Sequence, residues 1–204
     1  MNIEPTPPRS KKTKDTKEKI YQAAAALIKK YGYDYLTVKN VCQAAGVSNG
    51  TFFYHFNTKE DLLSYYLIDG LKKYMEEINY SDSGKNYREC LLTYYQTYVS
   101  YCVSNGLDFI TNYYSPKNKA LNTRAHRGRV TDTGVLYEYT TNCCQRGIDE
   151  GALSTRHSAI DYANNCCTIL KGIIFDWALS DGETDMPSLV NELLGAYLDS
   201  ISTK

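Results

Sequence analysis

Apolar residues recur along the chain at the three- and four-residue spacing of amphipathic helices, and no segment alternates convincingly enough to read as a strand. Ile20, Ala24, Leu27, Ile28 and Tyr31 share one face of a first helix predicted from about Thr16 to Tyr31, which Gly32 ends. Val38, Val41 and Ala44 repeat at helical spacing near 37–45, and another short helix is predicted near 48–54. Thr58 opens the next helix, with Asp61 where a capping-box acid lies. Leu62, Leu63, Tyr66 and Leu67 carry its apolar face on toward Leu71 and Met75. The stretch Y-S-D-S-G-K, Tyr80 to Lys85, reads as a break and a seam between head and body.

Beyond the break, a helix over 87–104 carries Leu91, Leu92, Tyr95, Val99 and Cys102, and Asn105-Gly106 closes it. A short helical piece near 108–114 stops before Pro116, and residues 115–131 form a polar, basic loop holding Arg124, His126, Arg127 and Arg129. Helices near 133–150, 159–180 and 186–202 complete the body, separated by Gly151 and by Asp181-Gly182. The expected fold is all-α: a disordered basic tail over 1–14, a three-helix head over 15–62 and a larger helical body over 63–204. No internal repeat is visible.

With 43% hydrophobic residues in 204, the chain can bury a substantial core. No segment reaches the roughly 20 continuous apolar residues that span a bilayer. The start is polar and Pro-rich (Pro5, Pro7, Pro8) and then basic, unlike a signal peptide, so a cytoplasmic protein without a membrane partner is expected. Seven cysteines, an odd number, fit a reducing compartment. Net charge is zero but unevenly placed: residues 1–60 hold ten basic and five acidic side chains, the remainder thirteen and eighteen. A basic head on an acidic body suits a protein that offers one end to phosphate.

The stretch Thr37–Glu60 sharpens that reading. Ala45 is small, Gly46 can take a positive φ, Val47 can pin the turn and Ser48 can cap the next helix. This is how a helix-turn-helix is made, with its second helix placed to enter a major groove. Thr37 caps the first motif helix and can meet a phosphate. Ser48 and Asn49 open the second, and the Asn49 amide can pair with adenine N6 and N7. Gly50 permits close approach, and Thr51 can offer a methyl to thymine or a hydroxyl to phosphate. Lys59 joins its charge to a positive helix end. Phe52 and Phe56 read as packing, and Cys42 as a small core residue.

The run Thr37, Val38, Val41, Cys42, Ala45, Gly46, Val47, Ser48, Gly50, Thr51, Phe53, His55, Phe56, Lys59, Glu60 and Leu62 resembles the TetR family of bacterial transcriptional regulators. The detailed resemblance covers about Lys17–Leu67. It implies backbone contacts from Tyr54 and His55 on the second motif helix. Phe53 stands where the family usually has Tyr, so a phosphate contact there falls to Tyr54. It also implies a homodimer on operator DNA, joined by a four-helix bundle of the last two helices from each subunit. The expected interface residues are Ile169, Ile173, Trp177, Leu189, Leu193, Leu194 and Tyr197; the other reading closes each monomer's own core with them.

Tyrosine, 20 in all, is concentrated in the body. Tyr94, Tyr95, Tyr98, Tyr113 and Tyr137, with Trp177, either wall a pocket for a flat or amphipathic effector or are ordinary packing. The adjacent pairs Cys143-Cys144 and Cys166-Cys167 lack C-x-x-C spacing, and His55, His126 and His157 form no ligand set, so neither metal nor cofactor is expected. There is no phosphate-cradling glycine loop or G-x-S-x-G elbow. The expectation is a one-component regulator, a ligand-responsive repressor rather than an enzyme. An activator is the alternative, and a helical ligand-binding or catalytic protein with a vestigial motif the distant one.

Overall fold

The structure, a computed structural model, describes residues 9–118, 121 and 134–203. Among them every regular element is helical: α1 Arg9–Tyr31, α2 Val38–Ala45, α3 Asn49–His55, α4 Lys59–Glu77, α5 Tyr87–Asn105, α6 Leu107–Tyr113, α7 Gly134–Asp149, α8 Ala159–Leu179, α9 Met186–Leu189 and α10 Gly195–Ile201. One isolated antiparallel bridge, Leu153 to Ser202, is the only extended pairing among the described residues. No helix among them is long and apolar enough to cross a membrane. The basic loop with Arg124, His126, Arg127 and Arg129 lies outside the described residues.

Two compact units form, divided between Tyr66 and Leu67. The division falls inside α4, which runs unbroken past it, and not at the Tyr80–Lys85 break. In the first unit α1 begins at Arg9, so residues 9–14, expected in a disordered tail, are helix. Lys and Arg are good helix formers, and no Gly or Pro interrupts the stretch after Pro8. Ile20, Tyr21 and Ala24 of α1, Leu36, and Phe52 and Phe56 from the motif pack with Leu62 and Leu63 of α4. Tyr31, expected inward, is exposed and leans on Tyr35, the rings tilted by 39° with centroids 4.5 Å apart.

The second unit centres on Tyr95, fully buried, whose hydroxyl meets Thr140 Oγ1 at 3.0 Å and Cys167 Sγ at 3.7 Å. That tyrosine joins α5, α7 and α8. Capping boxes start α5 at Asn86 with Glu89 and α8 at Ser158 with Asp161. Tyr87 reaches Ser202 Oγ at 2.6 Å, and Arg88 grips Asp199 through two bonds of 2.7 and 3.0 Å, tying α5 to the chain's last helix.

All seven cysteines are free and buried. A bond with Cys144 and then burial hold the Cys166 thiol well above its usual range, so the two adjacent pairs meet across α7 and α8. Burial pushes Cys143 and Cys167 up to about 11. Protonated thiols of this kind are poor nucleophiles and poor ligands.

The final helix, predicted as one piece, is interrupted by a π-helical turn, Val190–Leu194. Met186, Val190, Leu194 and Leu198 all face inward with no exposed surface. Their spacing of four residues exceeds the 3.6 of an α-helix, and local unwinding keeps them on one side.

Candidate nucleic-acid interface and effector cavities

The turn between α2 and α3 is closed by backbone bonds. Gly46 sits in the left-handed region at φ 63°, ψ 38°. Its N–H donates to Gln43 O, and that of Val47 donates to Cys42 O at 3.0 Å, a Schellman closure that satisfies the last carbonyls of α2. Thr37 caps α2, its Oγ1 accepting from Asn40 N at 3.1 Å. Ser48 caps α3, accepting from Thr51 N at 3.1 Å. The Cys42 thiol contacts Ser48 O at 3.8 Å, and burial raises its pKa, which fits the reading as a small core residue. The buried face of α2 is Val41, Cys42 and Ala45; Val38 is half-buried and Ala44 exposed, a shift of one helical position from the face expected.

On α3, Phe52 turns inward while Asn49, Gly50, Phe53 and Tyr54 turn outward. Tyr54 is 74% exposed and packs edge-on against His55. Thr51 is half-buried, and its hydroxyl lies 2.9 Å from Ser48 Oγ, so its first partner is that serine. A methyl added at Gly50 would meet only Ser48 Oγ at 3.7 Å, an ordinary contact. Glycine is therefore not required there by packing inside the chain. Outward-facing Phe53 replaces a hydroxyl with an apolar ring that can meet a thymine methyl.

Thr58 and Asp61 form the expected capping box: Thr58 N donates to Asp61 Oδ2 at 3.2 Å and Asp61 N to Thr58 Oγ1 at 3.1 Å. Lys59 opens α4 with its ammonium 4.4 Å from the Tyr33 ring. Lys17 lies 4.3 Å from the Tyr65 ring, anchoring α1 to α4. Burial, and then the charge of Lys17, hold His55 below its ordinary pKa, so it is a neutral imidazole at neutral pH.

The second unit holds two adjoining hollows that share Ile68, Leu71 and Val135. One, of about 60 Å³, is lined by Tyr98, Tyr113, Tyr114 and Tyr137 with Leu170 and Lys171. Tyr98 and Tyr114 share a 2.6 Å hydroxyl contact, and burial lifts both phenols far above their usual range. The other is a more open cleft of about 470 Å³, bounded by Tyr80, Asp82, Tyr94, Tyr139, Lys72, Met75 and Glu76. Of the tyrosines expected to wall an effector pocket, Tyr98, Tyr113 and Tyr137 thus meet in the cavity, and Tyr94 lines the cleft. Tyr95 and Trp177 line neither: Tyr95 is the core pin, and Trp177 is buried with Nε1 donating to Gly182 O at 2.9 Å. Sequence reasoning counted Tyr139 among the tyrosines that could wall a pocket but assigned Asp82 and Tyr80 to no site; a lone acid in a turn between aromatics was the available signal.

Among the residues expected at a subunit interface, Ile173, Trp177 and Leu194 are buried inside their own unit and have no surface left for a partner. Ile169, Leu189 and Tyr197 are half-buried, and Leu193 is exposed. The most outward apolar positions of α8 are Phe175 at 64% and Leu179 at 69% exposure, with Gly172 also exposed. The helix is apolar on two sides, and the core takes the side holding Ile173 and Trp177. Among the described residues no cluster of three or more His, Cys, Asp or Glu could hold a metal.

Residues 20–66, from α1 to the first half of α4, match the family described as bacterial regulatory proteins, tetR family. No curated protein matches the chain. Among solved structures, FadR of Thermus thermophilus, a TetR-family transcriptional repressor in complex with lauroyl-CoA, superposes with a TM-score of 0.71 at 20% identity, over 92% of this chain and 96% of that one. A TetR-family regulator from Rhodococcus sp. gives 0.61 at 19%, over 93% and 100%. FadR of Bacillus subtilis in complex with stearoyl-CoA gives 0.53 at 18%, over 90% and 98%. At these identities the structural likeness establishes the fold, while the match over the motif establishes the kind of head. The head over residues 20–66 is thus of the TetR-family type, and the chain as a whole has the fold of TetR-family transcriptional regulators.

Proposed function

We propose that this protein is a ligand-responsive repressor that binds a near-palindromic operator as a cytoplasmic homodimer. The observation that carries it is α3 itself: a capped seven-residue helix, sealed by Phe52 and presenting Asn49, Gly50, Phe53 and Tyr54 outward from a basic head. Thr37, Tyr54, His55 and Lys59 meet phosphate; Ser48 and Asn49 open the helix turned to base edges, with Asn49 the adenine reader; Gly50 allows close approach, and Thr51 offers a methyl to thymine or a hydroxyl to phosphate. The head is assigned to residues 15–62 and the effector and dimerisation part to 63–204.

One short helix reads only a few base pairs, and a two-fold pair doubles the contacts. Leu193, Phe175 and Leu179 are the apolar surface offered to a second copy, flanked by Ile169, Leu189 and Tyr197. The effector occupies the cavity and cleft of the second unit, and binding shifts the population toward a spacing of heads that no longer fits successive major grooves. Two neighbours of like fold are complexes with lauroyl-CoA and stearoyl-CoA, which supports a small-molecule effector. The same protein activates where its operator lies upstream of a promoter instead of across it.

The test is a titration against DNA from upstream of its own gene and neighbouring genes, at two salt concentrations with nonspecific competitor. Saturable, competitor-resistant protection of a near-palindrome is expected. Asn49→Ala should change sequence preference by about 1–3 kcal/mol at one base pair, and Lys59→Ala should weaken binding to all sequences and lower the salt slope by about one. Gly50→Ala should keep the fold and lose the operator. Unchanged DNA affinity in all three variants would refute this docking surface.

A further inference from the structure

We propose that the cleft beside α4 is an amine site, and that its ligand is a small organic cation with an apolar body. The proposal deepens the effector reading of the second unit and rests on it. The Asp82 carboxylate is held at both oxygens by phenols: Tyr80 Oη donates to Oδ1 at 2.6 Å and Tyr139 Oη to Oδ2 at 2.5 Å. Phenols are neutral donors, so they orient the carboxylate without cancelling its charge. Burial raises both phenols well above their usual pKa, which keeps them protonated in that role.

Around the carboxylate the rings form a corner. Tyr94 and Tyr139 stack at 3.9 Å and 15°, and Tyr80 meets Tyr94 edge-on at 5.9 Å and 81°. Aromatic faces beside a fixed carboxylate attract ammonium groups through the ring quadrupole and the full charge together. The chain's own Lys85 already shows this attraction: its ammonium lies 5.3 Å from the Tyr80 ring, outside the cleft lining, tied to Ser81 O at 2.6 Å.

A second observation is independent of the charges. Tyr94 lines the cleft, is only 2% exposed, and its hydroxyl is buried with no hydrogen-bond partner among the described residues. Buried polar atoms left without partners are rare, and a ligand N–H would supply one. The remaining wall, Ile68, Leu71, Met75 and Val135, is apolar and suits a hydrocarbon body. Of the charged lining residues two are acidic, Glu76 and Asp82, and one is basic, Lys72, so an anionic head is disfavoured.

The test is calorimetric titration of the full-length protein with three probes of one body: 4-phenylbutylamine, 4-phenylbutanol and 4-phenylbutanoate at pH 7. The amine should bind about tenfold or more tightly than the alcohol, and the carboxylate weakest. Asp82→Asn should remove that preference while leaving the alcohol unchanged, and Tyr94→Phe should weaken the amine severalfold. Equal binding of the three heads, tighter binding of the carboxylate, or an amine affinity untouched in folded Asp82→Asn would overturn the proposal. If Asp82→Asn fails to fold, the ranking of heads on the unaltered protein decides.

Operator release separates this proposal from the one beneath it. Release by lauroyl-CoA but not by the amine sinks the amine site and leaves the regulator. Amine binding with no operator found leaves the amine site and sinks the regulator.

Discussion

Gly70 of α4 lies directly against the Tyr101 side chain of α5, and it makes a sharp test of the packing. A Cβ built there would lie 2.0 Å from Tyr101 Oη, 3.0 Å from Cζ and 3.6 Å from Cε2. The first distance is more than 1 Å inside contact, and Tyr101 is itself buried. Replacing a mid-helix glycine by alanine gains about 1 kcal/mol of helix propensity, whereas overpacking costs about 1–3 kcal/mol. The crowding is severe, so the upper part of that range applies and Gly70→Ala should destabilise by about 1–2 kcal/mol. In a domain of this size that is a fall of roughly 2–8 °C in Tm.

Tyr101→Phe removes the obstructing oxygen and leaves Cζ as the nearest atom, so in that background the alanine should cost little or stabilise. The coupling between the two substitutions should exceed about 1 kcal/mol. The assay is urea unfolding of all four proteins at one fixed protein concentration, because self-association shifts apparent stability. An alanine that stabilises the unaltered protein, or costs the same in both backgrounds, would refute the close approach.

Phe175→Asp combined with Leu179→Asp should leave the fold intact, since both side chains are mostly exposed, yet give a monomer in sedimentation and lose operator binding; a dimer that persists would move the interface elsewhere. By contrast, Trp177→Ala should cost about 3–5 kcal/mol of stability because that ring is buried in its own unit. His55 has a lowered folded pKa, so the unfolded chain binds more protons there. Its contribution is present above the ordinary value of 6.5 and is lost as pH falls through the lowered folded value. His55→Gln should flatten stability against pH on the acid side of neutrality, and urea midpoints with the same slope in both proteins would contradict this.

The parts of the head legible in sequence were those fixed by local chemistry. Gly46, Val47 and Ser48 each act within a few residues of themselves, and Thr58 and Asp61 cap within one turn. The phase of α2 was less legible, because Cys42 and Ala45 are small and a stripe through Val38, Val41 and Ala44 differs from the buried one by a single position. On α8 the ambiguity was physical: Ile173 and Trp177 face one way, Phe175 and Leu179 the other, and periodicity does not say which side meets the core.

Tyr98, Tyr113 and Tyr137 were recognisable as aromatic wall, whereas Tyr95 belongs to the core for the same chemical reasons. Asp82 and Tyr139 are 57 residues apart and have no local signature of their meeting. Tyr80–Lys85 announces a turn; that its aspartate would lodge between two phenols depends on how α7 packs against α5.

The π turn near the chain's end makes one deletion harmless that would ruin an ordinary helix. Removing the exposed Glu192 leaves Met186 and Val190 in place and draws the next two core residues one position closer. The inward set then falls at offsets of four, seven and eleven from Met186, the stripe of a regular α-helix. The shortened chain would wind evenly and keep all four side chains in the core, so the length of this helix is free to vary by one residue across the π turn while its inner face stays the same.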